Sequence, residues 1–366
     1  MRILIFNWRD IKNPAGGGAE ILTHEMAKRW VLSGHTVHQF SSRFPDSKKQ
    51  EIIDGVTFIR QGKWWTVHFY AFFYYIKNKN LFDVIVDEVH WFPFFAAVYA
   101  PRKTIALTCE VANKLIFRIF AYPLALGFLL IEKIYLFLYK KVPTMVISPS
   151  TRDDLVANNH IKENIVVLPM GLTVPKNIKP SNKESIPTII SVGRLNKQKG
   201  TLDTIEAFGL VHKKISNSVL WLVGSGEKTF MREVNLRIKT LGLENAVKVW
   251  GFVSEKEKFT LLSKAHILIS ASVQEGWGLT IPEAGLMSTP SVVYNIAGFR
   301  DIIVQRKTGV LVDTNPKDLA KEVVQLLENK TTYEIMQNKS LKHAQGYSWD
   351  ATAAESIKFI KRNSTI

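Results

Sequence analysis

Both halves of this chain alternate short β-branched runs with helix-like stretches of ten or more residues, and few architectures accept that rhythm. In the first half RILIFN leads to a glycine loop, an amphipathic run over 19–33, a stop at Gly34 and then HTVHQF. FDVIVDE, KTIALT and TMVISPS follow, with helical material around them. In the second half TIISVGR precedes a helix near 200–216, and VLWLVGSG, a helix after Glu227, AVKVWG, HILISAS, PSVVYN and TGVLV extend the theme. Strands separated by helices of this length predict parallel sheets with right-handed crossovers. Between the halves VPKNIKPSNKES is polar, holds two prolines and has no periodicity, so it reads as a linker. At 366 residues the chain also exceeds one typical core. The expected fold is α/β: two doubly wound, Rossmann-like domains, 1–172 and 173–347, facing a central cleft. Ligands of such sheets bind beyond the carboxyl ends of the strands, which is where the chemistry is sought.

Charge narrows the partners. The chain carries a net charge of +16, which favours anionic partners such as nucleotide phosphates or an acidic membrane face. No block of five or six like charges and no RNA- or DNA-binding signature accompanies it, so nucleic acid is not expected. The single cysteine, Cys109, excludes an internal disulfide and a cysteine-rich metal site and suits a reducing cytoplasm. MRILIFNW reads as a strand and lacks the apolar run of a secretory leader.

The longest apolar stretch, 115–141, is cut by Arg118, Pro123, Gly127, Glu132 and Lys133, short of the roughly 20 residues of a spanning helix. It suits either a buried helix pair or an interfacial surface with Arg118, Lys140 and Lys141 near anionic headgroups. WWTVHFYAFFYYIKNK, 64–79, has the same aromatic and basic character.

Three loops carry the chemistry. PAGGGAE, 14–20, opens a helix after the first strand, where glycines admit a phosphate to free N–H groups. Its spacing is not G-x-G-x-x-G, so a plain tight turn explains it equally. In SVGRLNKQKG, Arg194 and Lys199 follow a strand, as a diphosphate lying across that edge would require; Lys197 suits a solvated role. GSGE, with Gly224, repeats the strand–glycine–helix theme. In EGWGLTIPE the carboxylates Glu275 and Glu283 flank bare amides, with no Lys or Arg inside the segment. Pro282 and Glu283 suit a first helical turn. Two acids held apart, with phosphate-binding cations elsewhere, match a nucleotide sugar: hydroxyls at both ends and phosphates in the middle.

On these residues the chain resembles the retaining glycosyltransferases of the GT-B fold, family 4. GGAE (17–20) with SGHTV, SVGRLNKQKG, LVGSGE, VKVWGFVS and EGWGLTIPEA run in family order over nearly the whole chain. The resemblance implies that Arg194 and Lys199 hold the donor diphosphate and stabilise the departing nucleoside diphosphate. It implies that Glu283 binds ribose hydroxyls, and that Glu275 with the amides of Gly276, Trp277, Gly278 and Leu279 holds the donor sugar. Gly17, Gly18 and Gly224 would lie against the phosphates and nucleotide, and Phe252 and Val253 would border the base. Family members typically need no metal, and no Asp-x-Asp occurs here. The donor would be of UDP or GDP type, and the helix at about 348–364 would return to the first domain.

One position departs from the family. Many relatives carry a histidine where Cys109 aligns, near donor sugar and acceptor. Glu110 could still take a proton there, and Glu88 and His90, in VDEVHWFPFF, are further acceptor-side candidates beside Asp87. The expected function is retaining transfer of a hexosyl unit to a glycan or lipid-linked acceptor, on the inner membrane face. The alternative, pointed to by Cys109, is a degenerate GT-B protein that binds without turnover.

Overall fold

The computed structural model describes residues 1–89, 92–112, 116 and 121–364; the candidate His90 and the basic Arg118 lie outside the described residues. The chain divides into two compact units, one of Met1–Gly171 with the segment from Ser348, the other Leu172–Tyr347.

The first unit is built on eight strands: β1 (Arg2–Phe6), β2 (Thr36–Ser41), β3 (Gln50–Ile53), β4 (Val56–Arg60), β5 (Val84–Val89), β6 (Thr104–Thr108), β7 (Thr144–Val146) and β8 (Ile165–Val167). Their order is β3-β4-β2-β1-β5-β6-β7-β8. Every pairing is parallel except β3 with β4. Ile3, Leu4, Ile5 and Phe6 are all fully buried, as a continuous apolar run must be in a sheet covered on both faces. Helix Gly18–Leu32 buries Leu22, Met26, Ala27 and Trp30 on one stripe. The Trp30 indole donates to Ser356 Oγ (3.0 Å) from helix Trp349–Asn363, and Thr352 Oγ1 donates to the Pro169 carbonyl (2.5 Å). One face of the C-terminal helix thus packs into this unit.

The antiparallel pair β3–β4 has no counterpart in the sequence reading, although its turn is legible. Asp54 and Gly55 both have positive φ, 49° and 80°, as a two-residue hairpin turn requires, and Asp-Gly is its commonest signal. Across this hairpin fully buried Arg60 pairs with Asp10, itself fully buried, and with Glu51, which anchors the chain leaving β1.

Helix Tyr122–Tyr139 corrects the buried-pair reading. One face packs inward through Ala125, Glu132, Tyr135, Leu136 and Tyr139, while Leu124, Leu126, Leu130, Ile134 and Phe137 are exposed. Glu132, which interrupts the run in sequence, points inward and accepts from the Ala112 amide at 2.7 Å, so the outer face carries no acid and only Lys133 interrupts its apolar residues. Among the described residues it is the one helix long and apolar enough, by length and composition, to cross a membrane. Helix Val67–Asn78 likewise exposes Phe69, Tyr70 and Phe73, continuing from Trp64 and Trp65.

The second unit holds β9 (Thr188–Val192), β10 (Val219–Val223), β11 (Val247–Gly251), β12 (Ile267–Ser270), β13 (Ser291–Tyr294) and β14 (Gly309–Val312). All pair in parallel, in the order β11-β10-β9-β12-β13-β14. The winding reverses between β9 and β12, the kind of switch point beyond whose strand ends such sheets bind ligands.

Candidate functional site

The loop after β9 is held in shape by glycines packed backbone to backbone. A Cβ on Gly224, just past β10, would lie 1.8 Å from the Gly193 carbonyl oxygen, and one on Gly226 would lie 2.3 Å from the Leu195 oxygen. The Leu195 amide donates to the Ser225 carbonyl (2.8 Å), which ties the two loops together. Asn196 then orders the turn: its Oδ1 accepts from the Lys199 amide (2.8 Å) and its own amide donates to Thr201 Oγ1 (3.1 Å). Gly200 approaches β12 so closely that a Cβ there would sit 2.0 Å from the Ala271 oxygen. The Val273 amide closes the junction by donating to the Gln198 carbonyl (3.0 Å).

These contacts bring the loop after β9 against the loop after β12, at the point where the winding reverses. There Lys199 Nζ lies 2.5 Å from Glu275 Oε1, with the two side chains 25% and 16% exposed. Ser272 Oγ donates to the same oxygen (3.0 Å). Arg194, on the same loop, is exposed and makes no ion pair among the described residues. Lys197 is exposed as well. The Glu275 backbone rests on Gly298, where a Cβ would be 2.4 Å from the Glu275 oxygen.

Beyond Glu275 the chain runs through half-buried Gly276, Gly278 and Leu279 into helix Thr280–Leu286. Trp277 is 4% exposed, and its ring packs edge-on against Tyr347 at 4.9 Å between centroids. Glu283 sits in the first turn of that helix, 9% exposed. Its Oε1 accepts from Lys258 Nζ at 2.8 Å, and its buried Oε2 has no hydrogen-bond partner. Burial pushes the Glu283 carboxyl up, and Lys258 opposes that rise. Phe252, 86% exposed, and Val253 occupy the turn between β11 and helix Glu255–Lys264.

Both acids of EGWGLTIPE therefore have chain cations, although the segment itself holds no Lys or Arg. Lys199 comes from 76 residues away and Lys258 from 25, so no local pattern could expose either pairing. Lys258 is the residue that sequence reasoning missed altogether.

The first unit holds the remaining candidates. Gly17 is the N-cap of helix Gly18–Leu32, and its amide donates to Glu20 Oε2 (2.6 Å). Glu20, 2% exposed, also accepts from Arg9 Nε at 2.9 Å, so the acid of GGAE fastens the glycine loop to the end of β1. Asp87 and Glu88 lie inside β5 rather than beyond it. Asp87 accepts from the Phe94 and Ala96 amides and from the Tyr139 hydroxyl, an organising role inside the unit. Glu88, 1% exposed, accepts from Asn7 Nδ2 and Thr23 Oγ1. Its burial, with Glu20 nearby, pushes its carboxyl well above the usual range. Cys109, just past β6, is 5% exposed, and burial with the fields of Glu88 and Glu110 pushes its thiol up. Neither Glu88 nor Cys109 presents a surface to an acceptor here. Glu110 beside them is half-buried.

Comparison with known proteins agrees with this architecture. Residues 174–343 match the model for glycosyl transferases group 1, and residues 16–174 match glycosyltransferase family 4. A sucrose-phosphate synthase from Thermosynechococcus elongatus superposes with a TM-score of 0.82 at 16% identity, covering 99% of this chain and 98% of that one. Anabaena HepE, solved in complex with UDP and glucose, superposes with a TM-score of 0.75 at 16% identity, covering 99% of this chain and 100% of that one. The fold is GT-B. D-inositol 3-phosphate glycosyltransferase of Paenarthrobacter aurescens is 28% identical over 173 residues, 46% of this chain and 42% of that relative. The matched stretch thus spans under half of that curated relative. The chain belongs to the group 1, family 4 glycosyltransferases.

Proposed function

We propose that this protein transfers a hexosyl unit from a UDP- or GDP-linked donor to a glycan or lipid-linked acceptor, with retention of anomeric configuration. The observation that carries the reading is the Lys199–Glu275 pair at the switch point of the second unit, with Arg194 on the same loop. Arg194 and Lys199 take up the diphosphate charge as the glycosidic bond to phosphate breaks. Glu275 and the amides of 276–279 hold the sugar, and Glu283 binds the ribose hydroxyls. Retention follows if the acceptor oxygen attacks the anomeric carbon on the face the phosphate leaves, passing its proton to the departing phosphate oxygen. No metal enters this scheme. The Glu275 carboxylate, already bonded to Lys199 and Ser272, suits positioning better than nucleophilic attack.

Release of nucleoside diphosphate from a panel of UDP-, GDP- and ADP-sugars, without and then with a membrane lipid extract, tests this. One donor should react, faster with lipid, and the product anomer read by NMR should match the donor's. Tight nucleotide binding with no release from any donor would instead support binding without turnover. Cys109 favours that second reading, since a buried thiol with a raised pKa cannot replace an imidazole.

A peripheral position on the cytoplasmic membrane face is part of the proposal. It is supported by two exposed apolar faces in one unit, Trp64 to Phe73 and Leu124 to Phe137. Lysines 77, 79, 133, 140 and 141 lie on or beside these helices, where they would meet anionic headgroups. Replacing Trp64, Trp65, Phe69 and Phe73 together with serine is expected to abolish co-flotation with phosphatidylglycerol vesicles. Unchanged flotation would remove the membrane assignment.

A further inference from the structure

Glu275 is held through one oxygen only. Its Oε1 accepts from Lys199 Nζ (2.5 Å) and from Ser272 Oγ (3.0 Å). Its Oε2 makes no hydrogen bond among the described residues and is not sealed from solvent. The two donors on Oε1 differ in kind. Lys199 is a partly exposed cation, and a diphosphate competes for it directly. Ser272 is neutral and 1% exposed, so an anionic ligand does not draw it away.

The chain around Ser272 fixes both its place and its proton. Ala271, just before it, abuts Gly200, where a Cβ would lie 2.0 Å from the Ala271 oxygen. Val273, just after it, donates its amide to the Gln198 carbonyl (3.0 Å). Ser270 Oγ donates to Ser272 Oγ at 3.1 Å, which leaves the Ser272 proton for Glu275. In the empty site the ion pair with Lys199 also holds Glu275. Once Lys199 engages phosphate, the hydroxyl is the tie that remains.

We propose that Ser272 is a positioning residue for the donor sugar: it keeps Glu275 Oε1 in place when Lys199 engages the diphosphate, so that Oε2 stays available to a sugar hydroxyl. The inference rests on the donor-site reading above and adds to it the residue that lets Lys199 and Glu275 serve different parts of one ligand. Removing the Ser272 hydroxyl therefore matters for a bound sugar and not for a bound nucleoside diphosphate.

The test is calorimetric titration of the full chain with UDP and GDP and with UDP-glucose, UDP-galactose, UDP-N-acetylglucosamine and GDP-mannose. The quantity read is the affinity for the sugar nucleotide that wild type binds most tightly, divided by that for its free nucleoside diphosphate. Ser272→Ala should lower this ratio about 10- to 100-fold, one hydrogen bond to a charged group being at stake, and leave the free diphosphate within about twofold. Glu275→Ala should lower the ratio at least as far, and adding Ser272→Ala to it should change nothing more. An unaltered ratio in Ser272→Ala beside a lowered one in Glu275→Ala would overturn the proposal and leave the donor site standing. An equal loss of both ligands, or a further loss in the double variant, would mean that Ser272 acts apart from Glu275 and would refute it too. If Glu275→Ala leaves the ratio unchanged, or wild type binds no nucleoside diphosphate, the donor reading itself falls and this inference with it. Should Ser272→Ala fail to fold, Ser270→Ala takes its place, with a fall in the ratio of about threefold expected from one neutral hydrogen bond and no fall refuting the proposal.

Discussion

Lys199→Ala is expected to lower turnover by about 10²–10³-fold, the usual effect of removing one preorganised charge from a departing anion. Its backbone is fixed from both sides: the Asn196 side-chain oxygen accepts from its amide, and the neighbouring Gln198 carbonyl accepts from the Val273 amide. Glu275 holds the side chain itself. Such a cation needs little reorganisation when phosphate charge develops. Its partner should behave differently. Glu275→Gln keeps the shape but removes the carboxylate that competes for Lys199, so affinity for free UDP or GDP should hold or rise while turnover falls by a similar factor. Single-turnover release together with calorimetry separates the two. If Glu275→Gln loses nucleotide binding as fully as Lys199→Ala, the sugar-side role of Glu275 is wrong.

Gly224→Ala is expected to destabilise the second unit by roughly 4 kcal/mol, at the upper end for single substitutions. The added carbon would lie 1.8 Å from a backbone oxygen at Gly193, and φ at Gly224 is +135°. No rotamer relieves a clash with backbone, so the loop bearing Arg194 and Lys199 must move. Gly242→Ala is the control: φ there is +66° but nothing lies within 4 Å, and about 1 kcal/mol is expected from backbone conformation alone. Thermal melts should show a fall of about 10 °C for the first, at a few degrees per kcal/mol, and a few degrees for the second. Equal shifts would mean that the Gly193–Gly224 contact is not what shapes the loop.

Much of the fold was legible because strands buried on both faces must be largely apolar. RILIF, TIISV and ILIS carry that signal without help from the rest of the chain. The β3–β4 hairpin was overlooked, although Asp54-Gly55 announces its turn, because Gln50–Ile53 is short and half-exposed. Helix Tyr122–Tyr139 misled in a different way. Glu132 breaks the apolar run in sequence, but in space it turns inward to the Ala112 amide and leaves an outer face that only Lys133 interrupts. Burial of a charge cannot be read from its neighbours along the chain.

By itself the sequence determined the two doubly wound sheets, the loops that would carry the chemistry, and the residue types on them. Periodicity and glycine placement are local, and local information survives in one dimension. Only the tertiary structure decided how those groups are paired. It set Lys199 against Glu275 through glycine contacts from three separate strand ends, and it supplied Lys258 to Glu283 from another helix. It also withdrew Glu88 and Cys109 into the interior and left the aromatic helices uncovered. Electrostatic partnership and burial depend on distance in space, which the crossover connections set.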